Sequence, residues 1–164
     1  MEEIKGKARS VAVAIDGSGP SWEAMTRAIN MARLLELPLD VLTVIQIRKA
    51  GYFAFIDRHL LEEQEAYAKK MLVEAEERGK KAGVKVQTHL LESEKGPSEA
   101  IVGWLEGTRG IKFLVIGSYG HGFRGRHILG STTERVIREV ARLALPVPVL
   151  VVPSSSEPSS EPSS

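Results

Sequence analysis

Short apolar segments alternate with longer amphipathic segments along this chain of 164 residues. The apolar segments have the length and the Val, Ile and Leu content of buried strands, and the amphipathic segments have helical spacing. This alternation is typical of parallel βαβ units, so we expect an open α/β fold with a five-stranded parallel sheet and helices on both faces. The predicted strands are residues 11–15, 39–47, 84–91, 111–116 and 147–152, and the predicted helices end near residues 37, 82, 107 and 143.

The charge balance and the missing cysteines exclude several classes of function. Lysine and arginine total 22 against 21 aspartate and glutamate, which leaves a formal net charge of +1. A protein that neutralises many phosphates of a nucleic acid needs a larger positive charge, so we expect no nucleic-acid partner. The absence of cysteine excludes disulfides, thiolate nucleophiles and cysteine-based metal sites.

The distribution of apolar residues bears on localisation and on domain organisation. No apolar run reaches the roughly 18 residues that a membrane span requires, and the polar N-terminus has no apolar signal core. We therefore expect a cytoplasmic protein without a membrane partner. The length favours a single domain, over residues 1–153. Residues 154–164 contain only Ser, Glu and Pro, so they are predicted to be a disordered tail.

The segment after the fourth predicted strand, residues 117–132, is rich in glycine. It lies at the carboxyl end of a strand, where open α/β sheets bind their ligands. Ser131-Thr132-Thr133-Glu134 fits the capping-box pattern, which predicts Ser131 as the N-cap of the next helix. Glycines let the main chain approach a ligand, and the free N–H groups and dipole of a helix start attract anions. The segment is therefore a candidate anion site.

Two short phosphate-binding motifs overlap this segment, and neither fits well. Gly120-x-Gly122-x-x-Gly125 has the dinucleotide spacing but does not open directly into a helix, and it lacks the acidic residue about 20 positions further on. The seven residues from Gly125 to Ser131 have the spacing of a phosphate loop, but Ser131 stands where that motif has its lysine. An ordinary P-loop hydrolase is therefore disfavoured.

A longer spacing fits without exception, namely Gly117-x2-Gly120-x9-Gly130-Ser131. It resembles the motif of the nucleotide-binding branch of the universal stress protein family. That family also opens with a strand ending in Asp and a Ser-containing turn, as 11–18 does, and closes with a strand like residues 148–152. The resemblance covers about residues 9–153.

The resemblance implies a sheet of order 3-2-1-4-5 that binds ATP between strands one and four, with ADP or AMP as alternatives and Mg²⁺ arriving with the phosphates. By this resemblance Asp16 contacts the ribose, and Val44 borders the adenine. The remaining predicted nucleotide-binding residues are Ile116, Gly117, Gly120, Gly130, Ser131 and Thr132. The family also commonly forms homodimers through the last strand, and Pro148 suits such an edge. An ordinary protected edge is the alternative.

Several residues have a structural interpretation beside the functional one. Asp16 before Gly-Ser is also a common turn residue. Tyr52, Phe53 and Phe55 could cover a nucleotide or form an exposed binding patch, although local packing is the commoner role for such a cluster. The four histidines show no zinc-ligand spacing on one helix, so no metal site is predicted.

Three functions follow from these observations. The favoured one is an ATP-binding stress-response or signalling dimer without strong catalysis. The alternative is a slow ATPase or nucleotidyl-transfer enzyme, which would need a cation clamp and a group that positions the nucleophile. A nucleotide-free interaction module is the third, and the intact glycine spacing argues against it. We expect Gly130→Val to abolish nucleotide binding and to spare the fold, because the new Cβ would intrude on a phosphate.

Overall fold

The computed structural model describes residues 8–47, 54–119 and 129–154, and for residues 54–57 it describes only the main chain. Five strands and four helices alternate through these ranges, as the hydrophobic pattern predicts. In chain order they are β1 (Ser10–Ala14), α1 (Gly19–Leu35), β2 (Leu39–Gln46), α2 (Ala54–Lys81), β3 (Val86–Ser93), α3 (Pro97–Gly107), β4 (Ile111–Gly117), α4 (Ser131–Arg142) and β5 (Val149–Val152).

The five strands form one parallel sheet in the order β3-β2-β1-β4-β5, which confirms the predicted fold and strand order. β1 lies at the centre, where Val13 pairs with Val41 of β2 and with Val115 of β4. Every residue of β1 is buried, because helices cover both faces of the sheet. The topology reverses at β1, so its carboxyl end lies beside that of β4.

Each face of the sheet has its own apolar core. On one face Val13 packs with Met25 of α1 and Met71 of α2, and on the other face Ala12 packs with Leu114 and with Val136 of α4. Because Val and Ala alternate along β1, its small side chains all point to this other face, which we call the second face of the sheet. The helices α3 and α4 lie over that face, which contains the alanine positions 12 and 14.

The helix α2 is the longest, with 28 residues, and its polar composition suits a helix on the protein surface. Two ion pairs four residues apart, Glu65–Lys69 and Glu74–Arg78, lie along it with N–O distances of 2.8 Å in each. In the part of the chain that the structure describes, no helix combines the length and the apolar composition that a membrane crossing needs.

The end of α2 and the start of β3 differ from the prediction in an instructive way. Gly83 adopts a φ of +74° just after the helix, as expected for a C-terminal stop. The N–H of Val84 donates to the Gly79 carbonyl at 2.9 Å, so Val84 completes the helix end instead of starting the strand. β3 consequently begins at Val86 and extends to Ser93, two residues later than predicted at each end.

A buried polar cluster lies near the amino end of the sheet, on the second face, beneath α3. The hydroxyl of Ser10 donates to Asp40 Oδ2, and Nε2 of His89 lies 2.7 Å from Asp40 Oδ1. Trp104 of α3 covers the imidazole, with 5.2 Å between the ring centroids. Asp40 is 1% exposed, so this otherwise apolar strand buries one charged side chain.

Candidate functional site

A cavity of about 660 Å³ opens at the carboxyl end of the sheet, where β1 and β4 diverge. Its volume lies within the range of small-molecule sites. Seven of the eight predicted nucleotide-binding residues line it, namely Asp16, Val44, Ile116, Gly117, Gly130, Ser131 and Thr132. The structure thus brings these seven together in one place, and their roles toward a ligand stay predictions.

The side of the cavity next to β2 is apolar. Its wall consists of Leu42 and Val44 from β2, Ala14 from β1, and Pro97 and Ile101 from the start of α3. These side chains come from the second face of the sheet, where the small side chain of Ala14 leaves room. A flat apolar group such as a purine base fits a wall of this kind.

Asp16 follows β1 directly and has a defined structural role. Its Oδ1 accepts a hydrogen bond from the Ser18 N–H at 2.9 Å, which closes a turn before α1. This confirms the interpretation of Asp16 as a turn residue. The side chain is nevertheless exposed and lines the cavity, so the turn also holds a carboxylate beside any bound ligand.

The other side of the cavity is formed by the first turn of α4. The N-cap of this helix is Gly130, and the first bond within the helix joins the Glu134 N–H to the Gly130 carbonyl at 3.0 Å. Ser131 is therefore the first helical residue, and its prediction as N-cap is wrong. Glu134 does not close a capping box, because Gly130 has no capping side chain and its N–H donates to the Ser118 carbonyl. Oε1 of Glu134 instead accepts from Arg138 at 2.6 Å.

The N–H groups of residues 131–133 precede that first bond, so they have no acceptor within the helix. They lie at the positive end of the helix dipole, beside the cavity wall formed by Ser131 and Thr132. This end of the cavity therefore offers main-chain donors to an anion.

Thr133 anchors the first turn of α4 to the end of β4. Its hydroxyl donates to the Gly117 carbonyl at 2.7 Å, and the side chain is 3% exposed. Gly117 itself is close to the start of α1, since a Cβ added there would lie 3.1 Å from the Pro20 carbonyl oxygen. The hydrogen bond fixes the first turn of α4 to the end of β4, and the close approach of Pro20 brings the start of α1 to the same point.

Gly130 has a structural role beside its predicted role toward a ligand. Its N–H donates to the Ser118 carbonyl at 2.8 Å, so this amide already has a partner within the protein. A Cβ added to Gly130 would lie 3.0 Å from the Cα of Tyr119. Gly130→Val would therefore press against the main chain at Tyr119, which would have to shift by a few tenths of an ångström, and the expectation that this substitution spares the fold stays a prediction.

Several residues that line the cavity were not predicted. They are Ala14, Ile15, Ser21, Leu42, Gln46, Gln64, Pro97, Ile101, Tyr119 and Thr133. Gln46 could have been found, because it follows Val44 by two residues and side chains two apart share one face of a strand. Gln64 could not, because its approach to the cavity depends on how α2 packs against the sheet.

Some predicted features fall outside the described residues. Gly120 is one of them, and so are His121, His127 and the aromatic side chains at 52, 53 and 55. Within the described ranges, no group of three or more His, Asp or Glu side chains could hold a metal ion. The described residues of the cavity wall include no Lys, Arg or His.

Comparison with known proteins gives a family match that spans most of the chain. The family model for the universal stress protein family matches residues 7–153. A universal stress protein of Methanocaldococcus jannaschii is 32% identical over 150 residues, which cover 88% of this chain and 81% of that protein.

Solved structures show the same fold. The universal stress protein UspA of Lactobacillus plantarum has a TM-score of 0.77 and 22% identity, and the match covers 90% of this chain and 99% of that chain. The universal stress protein of Archaeoglobus fulgidus, solved with dAMP, has a TM-score of 0.60 and 23% identity, with 87% and 96% covered.

Proposed function

Because this chain belongs to the universal stress protein family, we propose that its cavity binds an adenine nucleotide, and specifically ATP. In this proposal the base lies at the apolar end, the ribose lies beside Asp16, and the phosphates face the first turn of α4. The protein acts as a nucleotide-dependent component of a stress response. It holds the nucleotide without rapid turnover.

The observation that carries the proposal is that one continuous cavity has an apolar wall on one side and main-chain hydrogen-bond donors on the other. Its apolar wall lies beside Val44, and its main-chain donors lie about Ser131 and Thr132, with Asp16 as a further lining residue. A nucleotide has the matching sequence of chemical groups, with an apolar base, a ribose with hydroxyl donors, and anionic phosphates. A carboxylate suits the ribose hydroxyls and would repel a phosphate, which supports the direction of binding.

Solved neighbours hold ligands of this class. The Archaeoglobus fulgidus protein is in complex with dAMP, another universal stress protein is in complex with cAMP, and an Arabidopsis thaliana family member has AMP bound. These proteins support an adenine nucleotide as the ligand here. ATP is our proposal for this chain because its glycine spacing resembles that of the family's nucleotide-binding branch, for which the resemblance implies ATP.

The proposal assigns binding and not strong catalysis to the site. Phosphoryl transfer needs cations that stabilise the transferred group and a residue that positions the nucleophile. The described cavity wall has Asp16 as its one charged residue, and that charge is negative. Mg²⁺ would enter with the phosphates, and the hydroxyl oxygens of Ser131 and Thr132 are of the kind that it accepts as ligands.

The proposal also includes a homodimer that forms through β5. This strand is an edge of the sheet and pairs only with β4 among the described strands, from Leu114↔Val149 to Gly117↔Val152. It is also bonded to the site, because the Ser118 N–H donates to the Val152 carbonyl at 2.9 Å. A change at the end of β4 on nucleotide binding would therefore reach the edge that a second subunit covers.

The test is to purify the protein without added nucleotide, identify any retained small molecule by mass spectrometry, and titrate ATP by calorimetry. We expect ATP to be retained or to bind, and to survive long incubation with Mg²⁺. Asp16→Ala should weaken ATP binding by about tenfold to a hundredfold, because hydrogen bonds to a charged group contribute about 1.5–3 kcal/mol.

Turnover to ADP at a physiological rate would favour the slow ATPase or nucleotidyl-transfer enzyme. An absence of binding at millimolar ATP would contradict the nucleotide site altogether. The oligomeric state, measured by light scattering with and without ATP, tests the dimer separately.

A further inference from the structure

Gln46 lies at the apolar end of the cavity. It is the last residue of β2, and it shares one face of that strand with Leu42 and Val44, since side chains alternate along a strand. All three line the cavity. Gln46 therefore brings a polar amide to the end of the site where the proposed function places the base.

The orientation of this amide follows from the turn after β3. Gln46 is exposed, and its Nε2 donates to the Glu94 carbonyl in a long hydrogen bond of 3.5 Å, which favours one orientation of the amide. That turn is held by the Ser93 hydroxyl, which accepts from the N–H groups of Lys95 at 3.2 Å and Gly96 at 3.1 Å. The opposite amide orientation would set Oε1 against a carbonyl oxygen, acceptor against acceptor. The turn thus directs Oε1 and the second N–H of the amide away from Glu94.

We infer that Gln46 selects adenine by reading the group at position 6 of the purine. Its Oε1 accepts a hydrogen bond from the 6-amino group, and its second N–H donates to a neighbouring ring nitrogen, in the pairing that Gln commonly makes with adenine. A purine with a 6-keto group presents an acceptor to the same oxygen. Turning the amide to suit that group would lose the bond to Glu94 and would set Oε1 against the Glu94 carbonyl oxygen. This inference rests on the proposed function and adds a specificity-determining residue to it.

The experiment compares ATP with inosine triphosphate, which differs at position 6 and keeps the ribose and phosphates. Dissociation constants of both are measured by calorimetry for the wild-type protein and for Gln46→Leu. We expect the wild type to prefer ATP by about tenfold, the effect of one well-formed base contact. Leucine keeps the volume and removes both hydrogen-bonding groups, so the variant should bind the two nucleotides about equally.

Gln87 provides a matched control. It is exposed on β3 and lies outside the cavity wall, so Gln87→Leu should leave the wild-type preference unchanged. Thermal unfolding of both variants checks the fold. If Gln46→Leu weakens both nucleotides equally, Gln46 only shapes the pocket and the inference is overturned. Equal binding of both nucleotides by the wild type would also overturn it and would leave the proposed function intact. If the wild type binds neither nucleotide, both the inference and the proposed function are overturned.

Discussion

The two ends of the β-sheet hold similar polar side chains and use them differently. Near the amino end, Ser10 and His89 both bond to Asp40, and Trp104 covers the imidazole. At the carboxyl end, Asp16 lines an open cavity beside the first turn of α4. One end satisfies its polar groups within the protein, and the other exposes a carboxylate at the wall of an open cavity.

The contrast shows that residue type alone does not identify a functional site. Ser, Asp and His near the amino end have the composition of a hydrolase triad. The hydrogen bonds among them do not suit that chemistry, because the Ser10 hydroxyl donates to the Asp40 carboxylate, whereas a triad serine donates to the imidazole. Asp40 is 1% exposed, whereas Asp16 is exposed. We therefore interpret the amino-end cluster as structural and the carboxyl-end cavity as functional.

The strongest test of this contrast is Asp40→Ala. Both carboxylate oxygens have partners inside the protein, so the substitution leaves the Ser10 hydroxyl and the His89 imidazole without their acceptor. We expect a loss of about 3 kcal/mol in the free energy of unfolding, measured by urea denaturation. The affinity for ATP should stay within about twofold of the wild-type value under conditions where the variant is folded.

Asp16→Ala is the matched control at the other end of the sheet. It removes an exposed carboxylate and one bond to the Ser18 N–H, so the stability loss should be below about 1 kcal/mol while ATP affinity falls. A result in which Asp40→Ala loses ATP binding and keeps its stability would reverse the roles assigned to the two ends.

Thr133→Val tests how the carboxyl end is held in shape. The hydroxyl of Thr133 is buried and donates to the Gly117 carbonyl, and valine would leave that carbonyl without the bond. We expect a loss of about 1–2 kcal/mol in stability and a weaker affinity for ATP, because the first turn of α4 is no longer fixed over β4. Urea denaturation and calorimetry measure the two effects.

The control for Thr133→Val is Thr26→Val on α1. The Thr26 hydroxyl also donates to a main-chain carbonyl, that of Trp22 at 3.1 Å, but this bond is exposed to solvent. Its loss should change stability by less than about 0.5 kcal/mol. Equal effects of the two substitutions would show that burial of the Thr133–Gly117 bond is unimportant.

Much of the fold could be predicted from hydrophobic periodicity, because every strand and helix of this chain buries an apolar surface. The boundaries were less predictable where hydrogen bonds decide them. Val84 is apolar and precedes β3, yet its N–H completes the end of α2. Asp40 was overlooked because a single polar residue within an apolar run carries no periodic signal, and its partners lie on other strands.

The part of the site that one continuous segment of sequence contributes could be predicted. The glycine spacing locates Gly117, Gly130 and Ser131 at the cavity wall, because a strand end, a loop and a helix start are continuous in sequence. Gln46 and Gln64 reach the same cavity from β2 and α2, and their approach depends on packing between distant elements. The strand order also came from the family resemblance and not from periodicity.

The smallest expected effect concerns Ser131, and it tests how α4 begins. The capping-box pattern predicts Ser131 as N-cap, whereas the structure gives this position to Gly130 and forms no side-chain cap. Ser131→Ala should therefore change the free energy of unfolding by less than about 0.5 kcal/mol. Ser18→Ala is the matched control, because Ser18 is the N-cap of α1 and its hydroxyl accepts from the Ser21 N–H at 3.3 Å. Loss of that cap should cost about 1 kcal/mol. Equal losses in urea denaturation would show that Ser131 is the N-cap of α4. The main-chain N–H groups without a helical acceptor would then begin at residue 132 instead of residue 131.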